Sequence, residues 1–101
     1  MGKQKELYVG RLGSNPTLKY TKNQKAVCHL SVAVSQTVNQ KPYWLKVVVW
    51  GKQAEDCNLY LKKGKEVFIQ GFVDIKEYID KDGVDRSYEE MTATLVGYPN
   101  N

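Results

Sequence analysis

A chain of 101 residues has the size of one small domain, and we expect a single domain over residues 1–101. Hydrophobic residues make up 42% and charged residues 26%, as in soluble globular proteins, and no run approaches the ~18 apolar residues of a membrane span. The charged N-terminal stretch, MGKQKELYVG, lacks the apolar core of a signal peptide. These features argue against a membrane protein and favour a cytoplasmic one.

Positive charge is concentrated in the first part of the chain. The net charge is +4, but residues 1–73 hold 12 basic and 4 acidic residues, whereas residues 74–101 hold 3 basic and 7 acidic residues. A basic body suggests a polyanionic partner such as a nucleic acid. A lysine-rich surface that is simply solvated explains the same excess equally well.

Residues typical of active sites and metal sites are sparse. Cys28 and Cys57 have no metal-binding spacing, so we interpret them as buried thiols in a reducing compartment, and His29 as an ordinary strand residue. Glu89 and Glu90 are neighbours on a predicted strand and therefore point to opposite faces. No serine-nucleophile, zinc-protease or phosphate-loop motif occurs. We expect no enzyme activity, no metal and no cofactor.

Apolar residues alternate with polar ones over most of the chain, which predicts β-strands. In chain order, strands are predicted over residues 6–12, 26–35, 43–50, 66–78 and 88–96, with a further extended segment over 17–20. Gly13, Asn15 and Pro16 mark a break after the first strand. The DKDG sequence at 80–83 predicts a hairpin turn with positive φ at Gly83.

One segment changes its period between the third and fourth of these strands. Ala54, Cys57 and Leu61 fall on one face of a short helix, with Tyr60 beside them. Gly64 is predicted to be the left-handed residue that follows this helix. The order predicts an all-β fold, a five-stranded Greek-key OB-fold barrel with one short α-helix between strands 3 and 4. A β-sandwich without the helix is the alternative.

The strand YWLKVVVW, over residues 43–50, has two different faces. One face holds Tyr43, Leu45, Val47 and Val49, and the other holds Trp44, Lys46, Val48 and Trp50. The first is a core face, whereas a lysine in the middle of a buried face is costly, so the tryptophan face is expected to be open to water. Exposed aromatics stack on the bases of single nucleic-acid strands, and lysines contact the phosphates. The alternative is that a tryptophan packs under a loop or in a subunit interface.

Several motifs together resemble the bacterial single-stranded-DNA-binding protein family, over roughly residues 5–97. They are YVGRLGSNPTLKY, AVCHLSVAVS, YWLKVVVWGKQAEDCNLYLKKG, VFIQG and EYIDKDGVDRSY. The passage from Trp44 to Gly64 is the most specific of them. The family's fold is an OB-fold, usually assembled as a homotetramer, and single strands wrap around it and stack on aromatic side chains.

The resemblance implies a set of binding residues and a partner. Stacking positions fall on Trp44, Trp50 and Tyr78, phosphate-contacting positions fall on Lys19, Lys46, Lys52, Lys63 and Lys76, and Tyr20 forms a basic-aromatic pair with Lys19. The implied function is sequence-independent binding and protection of single-stranded DNA in replication, recombination or repair. The implied protein is nucleoid-associated and a homo-oligomer, with a tetramer favoured over a dimer.

The chain departs from the family pattern in several places. A further family tryptophan falls near Val38, and the connection there is shorter. Asp74 and Glu77 stand where basic residues are frequent, which predicts a weaker hold on phosphates near Tyr78. Leu45 stands where the family often has a histidine near the tetramer interface. The sequence does not contain the family's acidic tail, and we expect either a trimmed chain or a short natural form.

Two other functions fit the same residues. The short connection and the absent tail also suit a primosome-type accessory OB protein, a dimer that acts through a helicase partner. The aromatic face also suits a module that binds a peptide instead of a nucleic acid.

Overall fold

Six strands and one helix make up the part of the chain that the computed structural model describes, residues 5–34 and 43–99. They are β1 (Lys5–Leu12), β2 (Thr17–Tyr20), β3 (Ala26–Val34), β4 (Tyr43–Trp50), α1 (Lys52–Tyr60), β5 (Glu66–Ile79) and β6 (Asp85–Gly97). The helix lies between β4 and β5, as predicted. No helix within these ranges has the length and apolar character needed to cross a membrane.

The sheet closes on itself into a barrel. Its strand order is β1–β5–β6–β4–β3–β2, and β1 also pairs with β3. β1 pairs with the C-terminal part of β3 through Gly10, Arg11 and Leu12, whereas β2 pairs with the part from Ala26 to His29. β1 and β2 therefore share one position in the ring, interrupted by residues 13–16. The predicted OB-fold barrel is confirmed, with its first strand in two pieces.

A glycine makes the closure of the barrel possible. Gly10 pairs with Val34, at the place where β1 crosses to β3. A Cβ atom on Gly10 would lie 2.3 Å from the carbonyl oxygen of Ala33, so no other residue fits without moving the backbone.

The barrel interior holds the apolar residues that alternation assigned to it. Leu45, Val47 and Val49 are all buried, which confirms the predicted core face of β4, while the side chain of Tyr43 lies outside the described part. Both cysteines are also buried and free. Burial raises the pKa of Cys57 to about 12, so this thiol is protonated at neutral pH and a poor nucleophile.

The helix ends earlier than its sequence suggests. Ala54 and Cys57 are its buried residues, and Leu61 is also buried but has an extended backbone, with φ −103°. The prediction that Gly64 terminates the helix is wrong. Gly64 has the expected positive φ of 87°, but it lies in a separate turn closed by a hydrogen bond from Lys65 N–H to Lys62 O. Because turns and helix ends both use left-handed glycines, the residue type alone does not distinguish them.

β5 and β6 are long and form a hairpin arm that carries exposed residues away from the barrel. The arm, defined as residues 74–90, exposes Ile75, Tyr78 and Ile79. Gly83 has φ 80° in its turn, as predicted. At the base of the arm the register shifts between Gln70 and Gly71.

The carboxylate of Asp80 holds the turn of the arm together. Its Oδ1 accepts hydrogen bonds from the backbone N–H groups of Asp82 and Val84, both at 2.9 Å. Its Oδ2 accepts a hydrogen bond from Arg86 Nε at 2.9 Å. The bond from Arg86 is the largest cause that holds the pKa of Asp80 below its ordinary value.

We expect this turn to loosen in acid. Because the folded pKa is lowered, ionised Asp80 stabilises the turn above the ordinary carboxyl pKa of 3.8, and this contribution is lost as the pH falls through the lower folded value. NMR shifts of the Asp82 and Val84 amide protons should follow that titration in the native chain and not in Asp80→Asn. Amide shifts that stay constant in the native chain down to pH ~2 would show that the carboxylate does not hold the turn.

Candidate nucleic-acid interface

The outer face of β4 presents two indoles with a lysine between them. Trp44 is 63% exposed, Trp50 is 44% exposed, and Lys46 is also exposed. Val48 shares this face but is only 7% exposed. At ~3.3 Å per residue, the two indoles stand ~20 Å apart along the strand.

Trp44 rests on the backbone of the β1–β2 loop. A Cβ atom added to Gly13 would lie 2.1 Å from the Cζ3 atom of the indole, so the six-membered ring covers this glycine. The N–H of Gly13 donates a hydrogen bond to Ser31 O at 2.8 Å, which fixes the glycine against β3. The indole therefore has a rigid support on one side and remains exposed to solvent elsewhere.

A polar groove lies between the two indoles. Its lining includes Thr17, His29, Ser31, Lys46 and Glu90, so it offers hydroxyl, imidazole, ammonium and carboxylate groups. Lys46 lies opposite Ser31 on β3 and opposite Glu90 on β6. A base or phosphate between the tryptophans would meet hydrogen-bonding groups.

A second groove borders Trp50 at the start of α1. Tyr20, Lys25, Gly51 and Lys52 also line it. Lys19 belongs to this end of the surface as well, because Lys19 lies opposite Val27 on β3 and Val27 lies opposite Trp50.

Two carboxylates moderate the positive charge beside Trp50. Tyr20 OH donates a hydrogen bond to Glu55 Oε2 at 2.9 Å, and this bond is the first cause of a raised pKa for Tyr20. Lys52 Nζ forms an ion pair with Asp56 Oδ1 at 3.1 Å, and this bond is the first cause of a raised pKa for Lys52. Both groups keep their neutral-pH protonation, and the exposed Lys52 pair is a weak one that a phosphate can replace.

The arm adds a third group of candidate side chains. Lys76 and Tyr78 point to the same face of β5, where they lie opposite Tyr88 and Arg86 of β6. The Tyr78 and Tyr88 rings have centroids 5.9 Å apart. Lys46 Nζ lies 4.5 Å above the centroid of the Tyr88 ring, so this contact joins β4 to the arm.

The acidic residues of the arm do not all share that face. Asp74 lies opposite Glu90, on the face that carries Tyr78, whereas Glu77 lies opposite Ser87 on the other face. Glu77 nevertheless lines the same groove as Tyr78 and Arg86, so the weaker hold on phosphates near Tyr78 stays a prediction. Glu90 is a further carboxylate on the face of Tyr78, opposite both Asp74 and Lys46.

Two residues discussed in the sequence analysis, Lys63 and Leu45, lie outside the outer face of β4 and the arm. The structure attaches Lys63 to the β1–β2 loop, where its backbone N–H donates to Asn15 Oδ1 at 2.9 Å. Leu45, which the resemblance placed near a subunit interface, is buried inside the barrel and only 1% exposed. The predicted gap near Val38 lies outside the described residues.

Sequence reasoning did not assign a role at the binding surface to Tyr88, Gly13 or Lys25. A signal for Tyr88 existed, because counting back through the DKDG turn pairs it with Lys76, which lies two residues before Tyr78 on the same face of the strand. Gly13 and Lys25 had no local signal, since their contacts come from the closure of the barrel. Within the described ranges, no group of three or more His, Cys, Asp or Glu side chains forms a metal site.

Taken together, the β4 face and the arm offer flat aromatic surfaces alternating with ammonium groups. Such a surface matches a polyanion with exposed flat rings, since stacking on an aromatic contributes ~1–3 kcal/mol per base and lysines release counterions from phosphates. A duplex hides its base faces, so the arrangement suits an unpaired strand.

Known proteins are similar to this chain over most of its length. A sequence model of the single-strand binding protein family matches residues 4–98. Two relatives, each called single-stranded DNA-binding protein and found in two strains of Neisseria meningitidis, serogroups A and B, are 35% identical over 100 residues and match 92% of this chain. The chain spans 58% of the length of these relatives.

Proposed function

The chain belongs to the single-strand binding protein family, and from that premise we propose that it binds single-stranded DNA irrespective of sequence. The observation that carries the proposal is the exposure of Trp44, Lys46 and Trp50 on one face of β4. Bases stack on the two indoles, and phosphates follow the lysines between and beside them. No cofactor is needed for binding of this kind.

The remaining candidate residues extend the path on both sides of β4. Tyr78 and Lys76 continue it onto the arm, while Lys19, Tyr20 and Lys52 continue it past Trp50. Contacts of this type recognise base faces and phosphates in place of base edges, so they carry little sequence information. A protein of this kind, in the cytoplasm beside the nucleoid, would protect single strands during replication, recombination or repair.

Self-association completes the proposal. A second exposed surface, on the outside of β1, β5 and β6, carries Leu7, Val9, Phe68 and Leu95. Val9 lies opposite Phe68, and Leu7 lies opposite Gln70, which in turn lies opposite Leu95, so the four residues form one patch. Apolar patches of this kind mark interaction sites.

We propose that the partner at this patch is a second copy of the chain. In the described ranges β1 pairs with β3 only through Gly10, Arg11 and Leu12, so its N-terminal half lies at a sheet edge beside the patch. Sedimentation equilibrium should give a tetramer, and a monomer at all concentrations would contradict this part. A stable dimer would favour the accessory protein that acts through a helicase.

A tryptophan fluorescence titration tests the proposed function. Adding oligothymidylate at low salt should quench the indole emission, because bases stack on Trp44 and Trp50, and higher salt should weaken the effect. A DNA hairpin duplex of equal charge and an RNA strand serve as comparisons. If emission and anisotropy do not respond to the single strand, or respond equally to the duplex, the proposal fails.

Lysine substitutions should separate residues on the DNA path from other lysines. Lys52→Ala and Lys63→Ala are each expected to lower affinity and to flatten the slope of log K against log salt by ~0.7, the value for one phosphate of a single strand. Lys5→Ala is the matched control, because the Lys5 ammonium lies 5.7 Å from the Phe72 centroid and β5 and β6 separate Lys5 from β4. An unchanged slope for Lys52 or Lys63 would mean that this residue lies off the path.

A further inference from the structure

Tyr88 lies at the junction between the barrel and the arm. It is partly buried and stands on β6 between the outer row of β4 and the Tyr78 side of β5. In the parallel register of β4 and β6, Lys46 is opposite Glu90, so two residues earlier stand Trp44 on β4 and Tyr88 on β6. Its ring contacts both a proposed phosphate ligand, Lys46, and a proposed stacking residue, Tyr78.

The first contact orients a lysine. The Lys46 ammonium lies 4.5 Å from the centroid of the Tyr88 ring, well within the ~6 Å range of cation–π attraction. A free lysine side chain samples many rotamers, and binding must immobilise it. An ammonium already held above a ring loses less freedom when a phosphate arrives, so the contact prepares Lys46 for binding.

The second contact orients a tyrosine. The rings of Tyr78 and Tyr88 have centroids 5.9 Å apart and planes tilted by 59°, a geometry close to the favoured edge-to-face arrangement. Tyr78 is still half exposed, so a ring surface remains open for a base. Tyr88 therefore limits the rotation of Tyr78 without covering it.

We propose that Tyr88 is a positioning residue for single-stranded DNA, which fixes Lys46 and Tyr78 so that one strand passes from β4 onto the arm. The inference rests on the proposed function and deepens it. It also gives the acidic arm a means of holding DNA, since Asp74 and Glu90 on the same face repel phosphates and a fixed ammonium offsets them.

Three substitutions test the role of Tyr88. Tyr88→Leu removes the ring but keeps the apolar bulk, and it should weaken binding of oligothymidylate about three- to tenfold, the scale of one cation–π contact or one aromatic pair. Tyr88→Phe keeps the ring and should bind like the native chain. Tyr60→Leu removes one ring of a second tilted pair, Tyr60 and Tyr98 at 6.3 Å, and should leave affinity unchanged.

A double-mutant cycle distinguishes positioning from general damage. Lys46→Ala should flatten the salt slope by ~0.7 in the native chain and by clearly less in the Tyr88→Leu background, because the lysine there is no longer held in place. Equal slopes in the two backgrounds would overturn the inference.

A further readout needs no variant that could misfold. The side-chain εCH₂ protons of Lys46 should show upfield ring-current shifts by NMR in the native chain and in Tyr88→Phe, and ordinary shifts in either would contradict the contact. Failure of this inference is distinguishable from failure of the proposed function. If the native chain binds DNA and Trp44→Ala weakens it while Tyr88→Leu does not, only the role of Tyr88 is refuted. If the native chain does not bind single strands, both are refuted.

Discussion

Replacing both Trp44 and Trp50 by alanine is expected to weaken binding of single-stranded DNA by ~2–6 kcal/mol, the sum of ~1–3 kcal/mol for each lost stacking surface. The two effects should add, because the indoles stand ~20 Å apart and share no contact. Each single variant should therefore lose ~5- to 150-fold in affinity. Since both side chains are exposed, the free energy of unfolding should change little.

Anisotropy of a labelled oligothymidylate measures these affinities, because the double variant has no tryptophan left to report binding. Tyr60→Ala is the matched control, since Tyr60 is an exposed aromatic on α1 that lies outside the proposed path. Affinity that survives in the double variant would favour a peptide-binding or other role for the aromatic face. An equal loss in Tyr60→Ala would mean that binding depends on aromatic surface in general.

Leu45→Ala is expected to lower the stability of the fold and to leave the DNA affinity unchanged, the reverse of the tryptophan variants. Leu45 lies between Trp44 and Lys46 in sequence but is 1% exposed inside the barrel. Removing most of a fully buried leucine side chain costs ~2–5 kcal/mol of stability, because transfer energy is lost and a cavity remains. In a domain of this size that loss should lower the melting temperature by ~10 °C or more. The affinity of the molecules that remain folded should be unchanged.

Leu59→Ala is the control for Leu45→Ala, because it is the same chemical change at a position on α1 that is 67% exposed. It should leave the urea midpoint almost unchanged. If Leu59→Ala is the more destabilising of the two, the assignment of inner and outer faces is wrong. If Leu45→Ala lowers DNA affinity while the protein remains folded, the two faces of β4 are not independent.

Most of the correct predictions about the site came from the alternation of inward and outward side chains along β4. The division of β4 into an inner set and an outer set needed only the period of a strand, and burial of Leu45, Val47 and Val49 agrees with it. Val48 shows the limit of the rule. Its side chain is on the outer face of β4 but is only 7% exposed, because it lies between His29 of β3 and Thr92 of β6.

Contacts between distant parts of the chain could not be predicted locally. The parallel pairing of β4 with β6, which brings Lys46 beside Glu90, depends on how the barrel closes. The support of Trp44 by Gly13 has the same origin. Gly64 failed for a different reason, since positive φ is compatible with both a helix end and a turn.

The two indole N–H groups allow the most direct test of the central claim, which is that a single strand lies across the outer face of β4. The chain has two tryptophans, so its ¹⁵N spectrum contains two indole Nε1–H signals, and one Trp44→Phe variant assigns both. On addition of oligothymidylate both signals should move, while the amide signals of Leu7, Val9 and Phe68 on the opposite outer surface should not move at a fixed oligomeric state. Indole signals that stay in place while those of the β1–β5 surface move would contradict the account.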